Sequence, residues 1–146
     1  MNSRRKATEV GLSGGAAQQH RTSVIERAAE AAPLRDCIFC RIAAGEIPAE
    51  IVAEDDDFVA FRDVRPLAPV HLLVIPKLHV ASLDEAEALD DDATARALGF
   101  IAATARAAGV AGSGYRVITN TGPDAGQEVM HLHWHVIGGT RLGGMV

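Results

Sequence analysis

From residue 36 onward, apolar and polar positions fall into short, sharply punctuated runs, and each run predicts one element. Asp36 is placed to cap a short helix carrying Cys37, Phe39, Cys40 and Ile42, which Gly45 then stops. Ile47-Pro48 leads into a strand over residues 50–54. Three aspartates, 55–57, form a solvated turn, and Phe58-Val59-Ala60-Phe61 reads as the antiparallel return. Pro66 and Pro69 bracket a loop before a nearly continuous apolar strand, residues 70–75, which Pro76 ends. Ser82 with Glu85 forms a capping-box pattern, opening a helical region that reaches to about Ala108. The acidic triplet Asp90-Asp91-Asp92 splits this region into a short turn and a long helix. Along that helix Ala97, Phe100, Ile101 and Thr104 recur at the spacing of a buried face.

Beyond the glycines of 109–114, Tyr115-Arg116-Val117-Ile118 is a strand, residues 121–128 are a Gly/Pro/Asp loop, and residues 130–137 are the last strand. The order is helix, three strands, helix, two strands, with no internal repeat. Tight turns between strands make this an α+β fold: about five mostly antiparallel strands, one long helix and one or two short ones.

The first 35 residues break the pattern. They are rich in Ser, Gly, Gln and Ala, and their one helix-like stretch, residues 24–32, is dominated by alanine. Residues 1–35 read as an extension, disordered or marginally helical, and residues 36–146 as a single domain. Charge follows the same division. The extension carries six basic and three acidic residues, net +3; the domain carries eight and sixteen, net −8. With 48% hydrophobic residues the domain can bury a core, but 26 alanines against six aromatics favour close packing over stacking platforms.

An overall charge of −5 argues against a nucleic-acid binder, which needs a basic face to release counterions, yet leaves a small anionic substrate open. No apolar run nears the roughly 20 residues that span a bilayer. Two cysteines are too few for a disulfide framework, and no apolar core follows Ser3-Arg4-Arg5-Lys6 as an export signal requires. A cytoplasmic location is expected.

The chemistry concentrates in His131-Leu132-His133-Trp134-His135. On a strand, all three histidines project to one side while Leu132, Trp134 and Val136 pack on the other. Three imidazoles side by side are costly unless they are solvated, satisfied in the core, or occupied by a metal or an anion. They can form a three-histidine metal site, or one can be a nucleophile that its neighbours orient. The glycine-rich loop 122–128 can bring backbone N–H groups close to an oxyanion, which favours phosphate chemistry. Cys37-x-x-Cys40 is a redox pair, two buried thiols, or half of a zinc site needing two more ligands. Lys77 and Arg116 are candidate phosphate clamps, although Lys77 reads better as a strand-end surface charge and neither is assigned to the site; His20 reads as solvated.

His-Leu-His-Trp-His-Val-Ile (131–137) does not stand alone. It is accompanied by Asp-Cys-Ile-Phe-Cys (36–40), Gly-Glu-Ile-Pro-Ala (45–49), Ala-Phe-Arg-Asp-Val (60–64), Ala-Pro-Val-His-Leu-Leu-Val-Ile-Pro-Lys (68–77) and Gly-Gln-Glu-Val (126–129). In order and spacing, over about residues 36–140, this resembles the Hint branch of the histidine triad (HIT) superfamily. The resemblance implies a HIT-like fold and a hydrolase that attacks the α-phosphorus of purine nucleoside phosphoramidates. It implies His133 as the nucleophile of a nucleotidyl-histidine intermediate, from which water releases the nucleoside monophosphate. By the same carry-over His135 holds the phosphate, His131 orients His133 and His71 completes a polar relay. Asp63 and Val64 line the nucleoside pocket, Asp63 on the ribose hydroxyls. Asn120, Gly126, Gln127 and Glu128 contact phosphate or leaving group.

The resemblance also implies a structural zinc. Bacterial-type relatives with this Cys pair bind it with the histidine after Pro-Lys-x and the first triad histidine, here Cys37, Cys40, His79 and His131. A zinc-bound His131 then positions His133 through its other nitrogen. The chemistry itself needs no cofactor, and relatives form homodimers by joining sheets. Glu128 replaces the serine of animal relatives and, as a carboxylate, is a poor direct phosphate ligand. Trp134 is bulkier than the usual aliphatic residue, and residues 138–146 lack the animal aromatic/proline tail. Two alternatives remain: a dinucleoside polyphosphate hydrolase of the Fhit type, and a zinc-stabilised nucleotide-binding or scaffold protein with little turnover.

Overall fold

A computed structural model describes residues 36–145. The expected extension, residues 1–35 with its marginal helix, lies outside the described residues. Helix α1 (Ile38–Ala43) is capped by Cys37 rather than Asp36: the Cys37 sulfur accepts the Cys40 N–H at 3.3 Å, and Asp36 stays exposed. The helix begins one residue too late for the aspartate to reach its first free amides. At the other end Gly45 adopts φ 77°, so that Gly45 N–H reaches Ile42 O and Glu46 N–H reaches Arg41 O.

Strands β1 (Ile51–Glu54) and β2 (Phe58–Arg62) are joined by the aspartate turn. There Asp55 Oδ1 accepts from both Asp57 N–H and Phe58 N–H, and Arg96 pairs with Asp55 and Asp57. Strand β3 (Val70–Pro76) runs one residue further than expected, with Pro76 opposite Phe58 at its end. A 3-10 helix (Leu83–Ala88) follows, capped by Ser82, whose Oγ accepts the Asp84 N–H, while Glu85 accepts the Ala81 N–H. Helix α2 (Asp91–Ala107) restarts on Asp90, whose Oδ1 accepts the Ala93 N–H at 2.7 Å. Strand β4 (Tyr115–Ile118), a 3-10 turn (Pro123–Ala125) and strand β5 (Trp134–Gly138) complete the chain. Among the described residues, no helix is long and apolar enough to cross a membrane.

The five strands form one sheet in the order β1-β2-β3-β5-β4, every pairing antiparallel. One face carries Phe58, Ala60, Leu72, Val74, Leu132 and Val136 and packs against Ala93, Ala97, Ile101 and Ala105 of α2. The opposite face carries Val59, Phe61, Leu73 and Ile75 and is covered by Phe39 and Ile42 of α1. Strands buried on both faces need apolar residues at every position, which explains why β2 and β3 read as continuous apolar runs.

The last strand is shorter than expected. Its ladder begins at Trp134, opposite Val74, and residues 131–133 lie outside it. There Leu132 N–H donates instead to Val80 O at 2.6 Å. The alternation nevertheless persists through the irregular stretch: Leu132 and Val136 are buried with Trp134 half-buried on the α2 side, and the histidines face α1. Placing β5 between β3 and β4 sets His135 opposite Leu73 and His71 opposite Ile137, so four histidines share one face.

Candidate active site

Donor and acceptor roles along the histidine face follow from backbone groups that can play only one part. The His131 carbonyl can only accept, and it lies 2.7 Å from His133 Nδ1; His133 therefore carries its proton on Nδ1 and keeps a free lone pair on Nε2. The Leu67 N–H can only donate, and it reaches His71 Nδ1 at 3.0 Å; the His71 proton therefore sits on Nε2. That Nε2–H faces His135 Nδ1 at 2.9 Å, which in turn leaves the His135 proton on Nε2. The result is a lone pair on His133 beside an N–H donor on His135, their ring centroids 5.0 Å apart.

The environment disfavours the charged forms of His135 and His71. Burial first, then the neighbouring His133 and His71, push His135 down to about 4, against the opposing pull of Asp63. Burial also lowers His71, again opposed by Asp63. A neutral imidazole is the form that has a lone pair to give. Phe39 of α1 stands edge-on to the His133 ring at 5.2 Å and to the His131 ring at 5.9 Å, so helix and nucleophile candidate are packed as one unit.

His131 is fully buried and faces the other way. Its Nε2–H donates to the Pro76 carbonyl at 2.8 Å, which turns the Nδ1 lone pair towards the thiols. Cys37 Sγ lies 3.3 Å and Cys40 Sγ 3.5 Å from that nitrogen, and His79 Nδ1 lies 3.2 Å from Cys40 Sγ. All four donor atoms fall within 4.8 Å of one another. Zinc–sulfur and zinc–nitrogen bonds of about 2.3 and 2.0 Å put tetrahedral ligands roughly 3.3–3.8 Å apart, a spacing these contacts approach. Without an ion, burial and then the adjacent Cys37 push the Cys40 thiol up to about 12. Burial lowers His79, opposed by Glu85, and burial pushes His131 down to about 4.

This geometry separates two tasks that the sequence placed on one imidazole. The His131 ring belongs to the thiol cluster, and its backbone carbonyl orients His133. Positioning through the other ring nitrogen is thus corrected: that nitrogen is taken by Pro76 O.

The glycine-rich loop also differs from expectation. Gly126 N–H and Gln127 N–H donate to Pro123 O and Gly122 O, closing the turn on itself with Gly126 at φ 79°. The Gln127 side chain is buried and braces the same loop: its amide donates to Ala81 O and Val129 O and accepts from Gly122 N–H. In this fold both residues shape the loop instead of presenting donors. Gln127→Ala leaves three part-buried backbone groups without this partner and should cost about 2 kcal/mol, read as a lowered denaturation midpoint at unchanged m-value.

Asp63 sits at the rim, with Oδ1 on the Arg65 N–H and Oδ2 3.3 Å from His71 Nε2. Val64 beside it is 92% exposed. Asn120 is half-buried and Glu128 exposed; no hydrogen bond among the described residues joins Val64, Asn120 or Glu128 to a histidine. Lys77 pairs with Glu54 at the surface. Arg116, opposite Ile137, lies on the histidine face by register and donates to Gly143 O. Thr119 escaped the sequence reading: its hydroxyl donates to the His133 carbonyl at 2.8 Å, and only its place just past β4, next to Asn120, hinted at this.

The chain matches the HIT domain family over residues 44–142, more than half its length. It is 41% identical over 111 residues to the purine nucleoside phosphoramidase of Escherichia coli K12, covering 76% of this chain and 93% of that protein. It is 45% identical over 103 residues to Protein HitA of Neisseria gonorrhoeae, covering 70% and 95%. Among solved structures, a histidine triad protein from Clostridium difficile superposes with a TM-score of 0.71 at 45% identity, over 77% of this chain and 97% of that one. A triad held on one sheet face, the family match and these relatives agree: the chain belongs to the HIT family, as an enzyme of the hydrolase class.

Proposed function

We propose that this hydrolase cleaves purine nucleoside phosphoramidates through a nucleotidyl-histidine intermediate. One observation carries the reading: the His131 carbonyl holds the Nδ1 proton of His133, freeing Nε2 to attack, beside a His135 fixed as an Nε2–H donor. In the first step the His133 Nε2 lone pair bonds to phosphorus, and the P–N bond breaks. The leaving nitrogen takes that electron pair and a proton from water. His135 Nε2–H donates to a phosphoryl oxygen, stabilising charge in the transition state. In the second step water attacks phosphorus, the P–His133 bond returns its electrons to Nε2, and the water proton leaves to solvent. The products are nucleoside monophosphate and amine.

The rim formed by Asp63 and the exposed Val64 and Leu67 suits a nucleoside, an apolar base against apolar side chains and ribose hydroxyls towards a carboxylate. The cluster of Cys37, Cys40, His79 and His131 has the donor set of a structural zinc, and the orientation of the His131 lone pair supports it. An ion held there would tie together the three segments that supply Cys37 and Cys40, His79, and His131. The open edge of β4, with Tyr115 and Val117 exposed, suits a homodimer joined through the sheets. Two free thiols fit a reducing, cytoplasmic setting.

Turnover of adenosine phosphoramidate is compared with that of a diadenosine polyphosphate. At least a tenfold higher kcat/KM for the phosphoramidate is expected. The opposite order would identify a dinucleoside polyphosphate hydrolase, and binding without release from either would identify a non-catalytic nucleotide binder.

A further inference from the structure

Asp63 is tied into the histidine face more firmly than a ribose contact requires. Its own N–H donates to His71 O at 3.0 Å, and its Oδ1 accepts the Arg65 N–H at 2.9 Å. These bonds aim Oδ2 at His71 Nε2, 3.3 Å away, and its side chain is only 17% exposed. Oδ2, His71 Nε2 and His135 Nδ1 form one compact cluster, which on residue types alone resembles a site for a divalent ion. The Leu67 N–H decides otherwise. It occupies His71 Nδ1, so His71 Nε2 carries the ring proton and has no lone pair for a metal. The cluster is one proton shared between two acceptors, His135 Nδ1 at 2.9 Å and Asp63 Oδ2 at 3.3 Å.

We propose that Asp63 is a positioning residue of the histidine relay, holding the His71 Nε2–H so that His135 keeps its own N–H aimed at the substrate. The proposal rests on the nucleotidyl-transfer reading above and adds a connection between its two halves. A ribose hydroxyl donating to Oδ2 competes with the His71 N–H for that oxygen. When it does, the His71 N–H turns further to His135 Nδ1 and reinforces the His135 Nε2–H already aimed at the substrate. The carboxylate also offsets the positive charge that grows on the imidazole as the His133–phosphorus bond forms.

The charged and titratable groups facing His135 are His133, His71 and Asp63, and of these only Asp63 favours added positive charge. Arg116, on the same face of β4, is turned to the Gly143 carbonyl.

The test is Asp63→Asn, an isostere that keeps an oxygen for the Arg65 N–H. Wild type and variant are assayed on adenosine phosphoramidate and on its 2′,3′-dideoxy counterpart, which has no hydroxyl to offer. A positioning role predicts a kcat about 10- to 100-fold lower on both substrates, as for outer-shell partners of other histidine sites. It also predicts that the ring nitrogens of His71 and His135, followed by NMR in the free protein, titrate at lower pH in the variant. A ribose-only role confines the loss to the hydroxylated substrate, places it in KM, and leaves the ring nitrogens unmoved; that result overturns the proposal. If neither protein turns over either substrate, the phosphoramidase reading fails. The ring-nitrogen titrations of the free protein then decide the positioning role on their own.

Discussion

His133→Ala should lower kcat/KM for adenosine phosphoramidate by about 10⁴-fold or more, the scale on which enzymes lose activity when a nucleophile is removed. That corresponds to about 5.5 kcal/mol of transition-state stabilisation, far beyond any packing effect at this position. The imidazole makes one hydrogen bond, to the His131 carbonyl, and edge contacts with the Phe39 and His135 rings. Removing it should cost about 2 kcal/mol of stability, since one buried carbonyl loses its donor. A thermal melt separates the two effects, because a folded variant without turnover assigns the loss to chemistry. Rapid quenching adds a second reading by intact mass. Wild type should carry a nucleotide adduct, and His133→Ala none. His135→Ala should still form it, about 10²- to 10³-fold more slowly, because it removes a donor and leaves the attacking lone pair. A His133→Ala enzyme within tenfold of wild type would end the nucleophile assignment.

The elements that the sequence made legible are those whose side-chain pattern answers to a single physical demand. Ala97, Ile101 and Thr104 are buried on one stripe of α2, as their spacing predicts, with Phe100 packed partly beneath. Phe58 to Phe61 and the run into Pro76 are apolar throughout because helices cover both faces of the sheet. Boundaries were harder. Asp36 is the residue type that caps helices, but the chain starts α1 on Cys37, whose sulfur does the same work. His131 and His133 keep strand-like alternation without belonging to the ladder, because the pairing with β3 stops at Val74.

At the site, the side chains were readable and their protons were not. Alternation alone puts His131, His133 and His135 on one face, and β3 adds His71 because β5 pairs beside it. What assigns each ring its role is backbone: the His131 carbonyl, the Leu67 N–H and the Pro76 carbonyl. Every residue has such groups, so they carry no compositional signal. The same holds for the glycine-rich loop: its composition allows N–H groups to approach an oxyanion, but does not reveal that the turn uses those of Gly126 and Gln127.

Removing the zinc proposed at Cys37, Cys40, His79 and His131 should uncouple the two faces of His131 and lower stability and activity together. Protein purified without added zinc is expected to hold one zinc per chain. Prolonged chelation should then lower Tm by about 10 °C or more, because a structural zinc contributes several kcal/mol of folding free energy. The segments it would join explain the size. Helix α1 has six residues, too few to stand alone, and it is held by the packing of Phe39, Ile42 and Ala43 and by its Cys37–Cys40 end. Loosening α1 releases Phe39 from the His133 ring, so kcat should fall about tenfold while the nucleotide adduct still forms. Cys37→Ser is the cleanest substitution. Serine is a favoured N-cap and can still accept the Cys40 N–H, but its hydroxyl is a poor substitute for a thiolate ligand. A loss of zinc and of Tm in Cys37→Ser therefore belongs to the metal and not to the helix cap. Protein that carries no stoichiometric zinc, melts unchanged after chelation and tolerates Cys37→Ser would instead leave the cluster as two thiols hydrogen-bonded to two imidazoles.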